Sequence, residues 1–469
     1  MASADPLPDG VLLWTRCDRP ASLHWTVARD PDLADPVATG RAEALAEADH
    51  TVHVEVTGLE PATTYWYRFD AGGEQSPIGR TRTAAAPGPV TEQDRLRIAL
   101  VSCSSLRAGY FDAYRHVARR ELDLVLHVGD YIYEAGPHST RNGRAVRLVD
   151  PPRTCVTLDH YRARHAQYRR DADLLALHAR HPVAVIWDDH DLAGTTWNGG
   201  AAGHHARWHG SWTAREAAAV QAWREWVPVR SPDPSDPRHI SRSLSLGGLA
   251  DLFLLDTRLV GRDRPAASGI RPVAFVGRRD RSLLGEPQRK WLDTEMESSA
   301  AHWRLLASQV VMAPLAIVGV GRGFGRNADQ WDGYPAERQH VLEGAARRGD
   351  RLVVLSGDFH SSWAAELGAG VEFVTPAICS TPFSRLLLPP GPGVPALAAR
   401  WLRRQNPHVR FCDLQRRGYV VVDITAERVQ ADWWFVDTVR SPGGGEEWAG
   451  GWQVASGETR LTPAVAPSD

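Results

Sequence analysis

Four segments of this sequence end an apolar run in residues that bind metals or move protons. Val101 leads to Ser102-Cys103-Ser104, and Val128 leads to Gly129-Asp130-Tyr131-Ile132-Tyr133-Glu134. Trp187 leads to Asp188-Asp189-His190-Asp191, and Leu355 leads to Ser356-Gly357-Asp358-Phe359-His360. An aspartate after a strand is ordinarily a cap or turn residue, so one such ending says little. Together they supply carboxylates, imidazoles, a phenol and a thiol, the donor mixture of a catalytic metal site rather than a closed structural zinc site. A carboxylate shared by two cations about 3.5–4 Å apart is the arrangement of two-metal hydrolases. Asp130 is the expected bridge, because Gly129 lets the backbone turn sharply as it leaves the strand. A nucleophilic cysteine is the competing chemistry. It needs Cys103 beside a histidine base, and the surrounding carboxylates oppose thiolate formation unless a cation is present.

The elements that must carry these residues change character along the chain. Residues 11–83 read as short strands: Val11–Trp14 and Leu23–Val27 are apolar runs, and Val52, Val54 and Val56 alternate as in a half-buried strand. From residue 97 the apolar runs are continuous: Arg97–Val101, Leu122–Val128, Val183–Trp187, Leu249–Leu255, Leu305–Met312 and Leu352–Leu355. Such runs suit strands covered on both faces. Helical patterns separate several of them, at Phe111–Arg120 and at a helix opened by Pro287, so an α/β layered domain is expected. Tyr419–Ile424 and Val429–Val436 read as a hairpin turning at Ala426-Glu427. In open α/β sheets ligands sit beyond the carboxyl ends of strands, which is where the four chemical endings fall.

Composition removes whole classes of function. At 469 residues, with 43% hydrophobic and 23% charged residues, the chain suits a large globular protein of two or three domains at about 150 residues each. The formal net charge of -2 provides no global attraction to nucleic acid. No apolar run reaches the roughly 18 residues of a membrane span. The five cysteines form no CxxC pair, which excludes a zinc-finger framework. His204, His205 and His209 lack a carboxylate partner nearby and read as a solvated loop.

In the N-terminal part, Leu59-Glu-Pro61 followed by Tyr65 resembles the tyrosine corner of a fibronectin type III-like sandwich, where the hydroxyl bonds back to the backbone upstream. In the catalytic part, Gly129-Asp130, Asp189-His190-Asp191 and Gly357-Asp358-Phe-His360 resemble the calcineurin-like metallophosphatase superfamily. Ser102-Cys103, Tyr131-Ile-Tyr133-Glu134, Leu255-Asp-Thr-Arg258 and Asn406-Pro-His408 narrow the resemblance to the alkaline phosphatase D (PhoD-like) family. The resemblance implies a β-sandwich over 1–85, a linker over 86–96, and a four-layer αββα catalytic domain over 97–469. It implies a phosphoesterase in which a metal-bound hydroxide attacks phosphorus. Cys103, Asp130, Tyr133 and His360 would hold a ferric ion (Fe3+). Asp130, Asp189 and Asp358 would hold calcium (Ca2+), with another divalent metal as the alternative. Gln309 is a candidate for a histidine that the wider superfamily carries and this chain lacks.

By the same resemblance, His190 would assist the leaving group with Asp191 fixing its tautomer, and Arg258, Asn406 and His408 would contact phosphate oxygens. Asp188 would support the site without ligating. The substrate is expected to be a small or polymeric phosphate ester, the protein a monomer, and the location extracellular or in the cell envelope, with the native start upstream of Met1. A phospholipase D-like phosphodiesterase on the same centre, and a decayed cell-surface-binding protein, are the alternatives.

Overall fold

The computed structural model describes every residue except 138–144, 268–269, 273–275, 277–279, 319–323, 350 and 469. The continuous apolar runs form the middles of two large sheets. One is ten-stranded, in the order Thr462–Ala464, Glu446–Ala455, Arg428–Val436, Gly418–Thr425, Arg95–Val101, Leu124–His127, Pro182–Val185, Ala2–Leu7, Gly10–Arg16, Thr51–Thr57. The other is seven-stranded, in the order Arg242–Leu246, Ala250–Leu254, Trp303–Ser308, Leu352–Ser356, Gly370–Val374, Ser362–Glu366, Val409–Asp413.

Strand residues divide by face, which explains why the runs lack polar alternation. Val353 and Leu355 join a core shared with Ile98, Leu100 and Leu126 of the first sheet. Leu352 and Val354 join a separate core with Leu292 and Met296 of helix Gly285–Ser298 and Val341 and Ala345 of helix Pro335–Ala346. The first sheet is covered in turn by helices Asp112–Ala118 and Ala172–Arg180, through Tyr114, Val117, Leu174 and Leu177. The layers therefore run helix, sheet, sheet, helix. Between the sheets Trp433 donates its indole N–H to the Val374 carbonyl at 3.1 Å and meets Phe373 edge-on at 5.9 Å.

Parallel register brings the chemical endings together. Val101 pairs with His127, and His127 with Val185, so the residues after these strands leave one edge of the first sheet. Ser308 pairs with Ser356, which places Gln309 and Gly357 on one edge of the second. The two edges touch at Gly357, where a Cβ would lie 2.6 Å from Ser102 Oγ and 2.9 Å from Val128 Cγ2. A side chain at that position would force the sheets apart.

The expected boundary near residue 85 is crossed by main-chain pairing. Ala2–Leu7 pairs in parallel with Pro182–Val185, so the first strands of the chain extend the catalytic sheet. A smaller sheet built from Pro36–Ala44, Ala21–Ala28, Thr64–Ala71, Glu74–Gln75 and Gly79–Arg82 packs against them. Their common core holds Val11, Leu13, Leu23, Val27, Val52, Val54, Val56, Tyr65, Tyr67 and Phe69. Tyr65 Oη accepts the Glu60 N–H at 2.9 Å, the upstream bond expected of a tyrosine corner. Local patterning identifies these strands, but it carries no information about a partner strand 180 residues later.

Trp433 is fully buried between the sheets. Trp433→Ala should cost about 3–5 kcal/mol of stability, measured by chemical denaturation, as for large-to-small aromatic deletions in cores. A loss below about 1 kcal/mol would mean that the sheets do not pack through this residue.

Candidate metal centre

The loops leaving the strands are held in backbone conformations that side chains ordinarily avoid. Cys103 (φ 60°), Asp130 (φ 55°), Asp358 (φ 60°) and His360 (φ 50°) are all left-handed. Each such residue costs on the order of 1–3 kcal/mol and persists only where its surroundings over-determine it. Gly129 relieves the tightest point: its φ is 102°, and a Cβ there would meet Asp188 Cβ at 2.3 Å. The strand ends thereby press donor atoms together. Cys103, Asp130 and His360 form one group whose ligand atoms lie within 4.8 Å of one another. Asp130, Asp189 and His190 form a second, and Asp188, Asp189 and Asp358 a third, by the same measure. Asp130 belongs to the first two groups and Asp189 to the last two, so the three share ligands in a chain.

Hydrogen bonds set the orientation of each donor. His360 Nδ1 lies 2.7 Å from the Thr381 carbonyl, which can only accept, so Nδ1 carries the proton and Nε2 is left with its lone pair. Tyr133 Oη lies 3.0 Å from that Nε2. Ser380 Oγ lies 2.8 Å from Tyr133 Oη and 2.8 Å from the Cys103 carbonyl, tying the phenol to the backbone that carries the Cys103 thiol. Arg164 donates to the Tyr133 carbonyl from below.

Carboxylates outnumber the fixed positive charges: Asp188, Asp189, Asp329 and Asp358 are gathered around Arg258 and Arg262, while Asp130 and Glu134 flank His190. Burial pushes the Asp130, Asp188 and Asp358 carboxyls up. At Asp189 burial acts the same way, but Arg258 and His190 outweigh it and hold the carboxyl low. Burial and the neighbouring Asp130 raise the Cys103 thiol and the Tyr133 phenol. Burial lowers the His360 imidazole to about 4, so it is neutral and able to ligate. Asp188 Oδ2 and Asp189 Oδ1 are buried with no hydrogen-bond partner. Orphaned carboxylate oxygens beside a neutral imidazole, a thiol and a phenol fit metal ions, which would supply the missing positive charge and draw the protons off Cys103 and Tyr133.

The residues expected at the site divide into those brought together and those placed elsewhere. Cys103, Asp130, Tyr133, Asp189, His190, Asp358 and His360 converge as described. Asp188, expected only to support the site, faces it with Asp189 and Asp358. Arg258 does not present itself to a substrate: it is fully buried, and its Nε, Nη1 and Nη2 go to Asp188, Asp329 and Asp358 respectively. Carboxylates take all three nitrogens of its guanidinium, so it acts as an internal counter-ion.

Asn406 ends helix Val394–Gln405, bonding the Ala316 N–H and C=O and the Leu402 C=O. His408 Nε2 donates to the Pro314 carbonyl at 2.9 Å. Both are consumed by backbone rather than directed at phosphate. Gln309 is likewise spent, on Thr257 and on the Leu255 carbonyl. His204 and His209 are half-buried beside Trp212 and Arg215, while His205 is exposed.

Asp329 escaped the sequence reading, and Glu134 entered it only as part of a motif, without a role. Asp329 pairs with both Arg258 and Arg262, yet it follows the short strand Phe324–Asn327 in a turn and has no long apolar run before it. Glu134, rather than Asp191, fixes the His190 ring: Glu134 Oε2 lies 2.7 Å from His190 Nδ1, and Oε1 accepts the Gly194 N–H at 2.9 Å. Glu134, Asp189 and Asp130 raise the His190 imidazolium well above its usual range against the opposing effect of burial. The ring also stacks on Tyr133 at 4.4 Å between centroids. Asp191 instead accepts the Tyr131, Ile132 and Asp188 N–H groups and so locks two of the loops together. The i, i+1 adjacency of His190 and Asp191 is misleading here, because consecutive residues in a helical turn do not face each other.

Two helix-covered sheets whose strand ends collect Cys, Tyr, His and Asp donors around a shared carboxylate define a candidate metal centre of a layered α/β protein. The sequence matches the PhoD-like phosphatase family over residues 98–433 and the PhoD-like phosphatase N-terminal domain over residues 1–85, and the chain belongs to that family. It is 37% identical over 470 residues to alkaline phosphatase D of Bacillus subtilis (strain 168), covering 94% of this chain and 78% of the relative. The solved structure of PhoD superposes with a TM-score of 0.89 at 34% identity, covering 100% of this chain and 92% of that one. Purple acid phosphatase PPD1 from yellow lupin (Lupinus luteus) seeds shares the fold at a TM-score of 0.61 and 11% identity, over 97% of this chain and 73% of that one. The chain is thus a phosphoesterase, and its family implies metal ions.

Glu134 is a positioning residue for His190 and Asp191 a structural one, so their substitutions should separate. Glu134→Gln should lower kcat about 10–100-fold, as for other residues that orient a functional histidine, with little loss of stability. Asp191→Asn should cost about 1–3 kcal/mol in denaturation, because it leaves buried N–H groups facing an amide. The reverse pattern would return the orienting role to Asp191.

Proposed function

We propose that the chain hydrolyses phosphate monoesters, diesters or both at a centre in which Cys103, Asp130, Tyr133 and His360 hold Fe3+ and Asp130, Asp189 and Asp358 hold Ca2+. Bound there, the metals would supply Lewis acidity for attack on phosphorus and offset charge on the phosphoryl oxygens. The observation that carries this reading is the sharing of Asp130 and Asp189 among three ligand groups. Asp188 is a further oxygen donor for the second metal, alongside Asp189 and Asp358.

The remaining steps belong to the protein. Glu134 holds His190 by Nδ1, which leaves the Nε2 proton for the departing alkoxide oxygen. Tyr133 stacks beneath the ring and keeps it over the site. Arg258 and Arg262 hold the carboxylates at fixed separation, so that cations complete a geometry already set.

Residues 1–85 are read as a fibronectin type III-like sandwich, with the catalytic domain spanning 97–469; the Tyr65 bond to Glu60 supports the first of these. A monomer outside the cell or in the cell envelope is the proposed working state. No helix among the described residues is long and apolar enough to cross a membrane.

Asp130→Ala should reduce hydrolysis of a chromogenic phosphate ester about a thousandfold or more. A thiolate and a phenolate on iron(III) should give a visible charge-transfer band that weakens in Tyr133→Phe. Wild-type turnover in Asp130→Ala would remove the shared-carboxylate centre. A colourless, iron-free but fully active enzyme would remove the Fe3+ ligand set.

A further inference from the structure

From residue 373 to residue 412 the chain contains no aspartate or glutamate. It carries Arg385, Arg400, Arg403, Arg404 and Arg410 in that stretch, within a protein whose net charge is -2. Arg410 is paired with Glu366 at 2.9 Å. Arg385, Arg400, Arg403 and Arg404 are exposed, and no carboxylate among the described residues forms an ion pair with them.

The same stretch exposes large apolar side chains. Leu386 is 44% exposed, Leu387 52% and Leu397 64%. Helices Phe383–Leu387 and Val394–Gln405 share a small core through Phe383, Ala399 and Leu402, which fixes them as one surface unit. On the longer helix Leu397, Arg400 and Arg404 recur at i, i+3 and i+7, so leucine and arginines point outward together. The unit grows from the wall of the metal centre. The Phe383 N–H donates to the His360 carbonyl at 3.2 Å, and the Thr381 carbonyl holds His360 Nδ1.

We infer that these two helices form a docking surface for an anionic lipid bilayer. Unpaired guanidiniums would lie at the depth of the lipid phosphates, and Leu386, Leu387 and Leu397 would enter the boundary beneath them. A soluble polyanion would be recognised by the arginines alone and gives no reason for leucines on the same face. The inference goes beyond the phosphoesterase reading, and its readout is binding, so either can fail without the other.

The test is flotation of the full chain with vesicles of phosphatidylglycerol and phosphatidylcholine, against vesicles of phosphatidylcholine alone. The protein should float with the anionic vesicles at low salt and bind the neutral ones at least about tenfold more weakly. R400E/R403E/R404E should weaken vesicle binding about a hundredfold, and L386S/L397S about tenfold, with turnover of a soluble chromogenic ester unchanged in both. Absence of flotation by the wild type would overturn the inference. So would undiminished vesicle binding by L386S/L397S with competition by soluble poly(glycerol phosphate), which would mark the surface as a polyanion site. A wild-type dimer that L386S/L397S converts to monomer, without vesicle binding, would mark it as a contact between copies of the chain.

Discussion

The arrangement of this site depends on the cost of burying carboxylates without enough positive charge. Asp130, Asp188, Asp189, Asp329 and Asp358 cannot all stay ionised in a low-dielectric pocket on the strength of two guanidiniums and the His190 imidazolium, which Glu134 already claims. Arg258 is therefore committed to the interior, where it bridges carboxylates from the loop after Trp187, the turn after Asn327 and the loop after Ser356. The carboxylates left over suit the metal ions that the family implies. Asp188, Asp189 and Asp358 form one donor group and Cys103, Asp130 and His360 another, joined by a third that contains both Asp130 and Asp189.

Holding such a pocket open against its own repulsion requires a stiff support. The two sheets meet at their strand ends with no room for a side chain at Gly357, and Gly129 admits the Asp188 loop at a similarly close approach. Cys103, Asp130, Asp358 and His360 are left-handed, and the loops of the first two are tied to each other by backbone bonds from Cys103 N–H to the Gly129 carbonyl and from Ser104 N–H to the Asp130 carbonyl. The strain is affordable because a large core fills the space between the sheets and a second core backs the seven-stranded one. The N-terminal strands add to it, because Ala2–Leu7 pairs in parallel with Pro182–Val185.

The His190 environment follows from the same geometry. Its ring sits on Tyr133 and is clamped by Glu134, so two residues of one strand-end motif both orient the group expected to meet the leaving oxygen. Asp191 spends its carboxylate on three backbone N–H groups and ties the loop after Trp187 to the loop after Val128. Orientation and support are thus assigned to different carboxylates, although the adjacent one looks the more natural partner in the sequence.

What the sequence determined by itself was the set of donors and their attachment to strand ends. Runs such as Leu352–Leu355 record burial on both faces, and the residue after the run is where a strand must stop, so both features are local. The layered α/β order and the Gly418–Thr425/Arg428–Val436 hairpin were legible for the same reason. Only the tertiary structure decided which donors share ligands, that Arg258 faces inward, that Asn406 and His408 serve backbone, and that Glu134 holds His190. Each of those outcomes depends on a partner far along the chain: Arg258 reaches Asp188 across 70 residues and Asp358 across 100. Side-chain partnership at that separation is set by how strands pack, which no local pattern encodes.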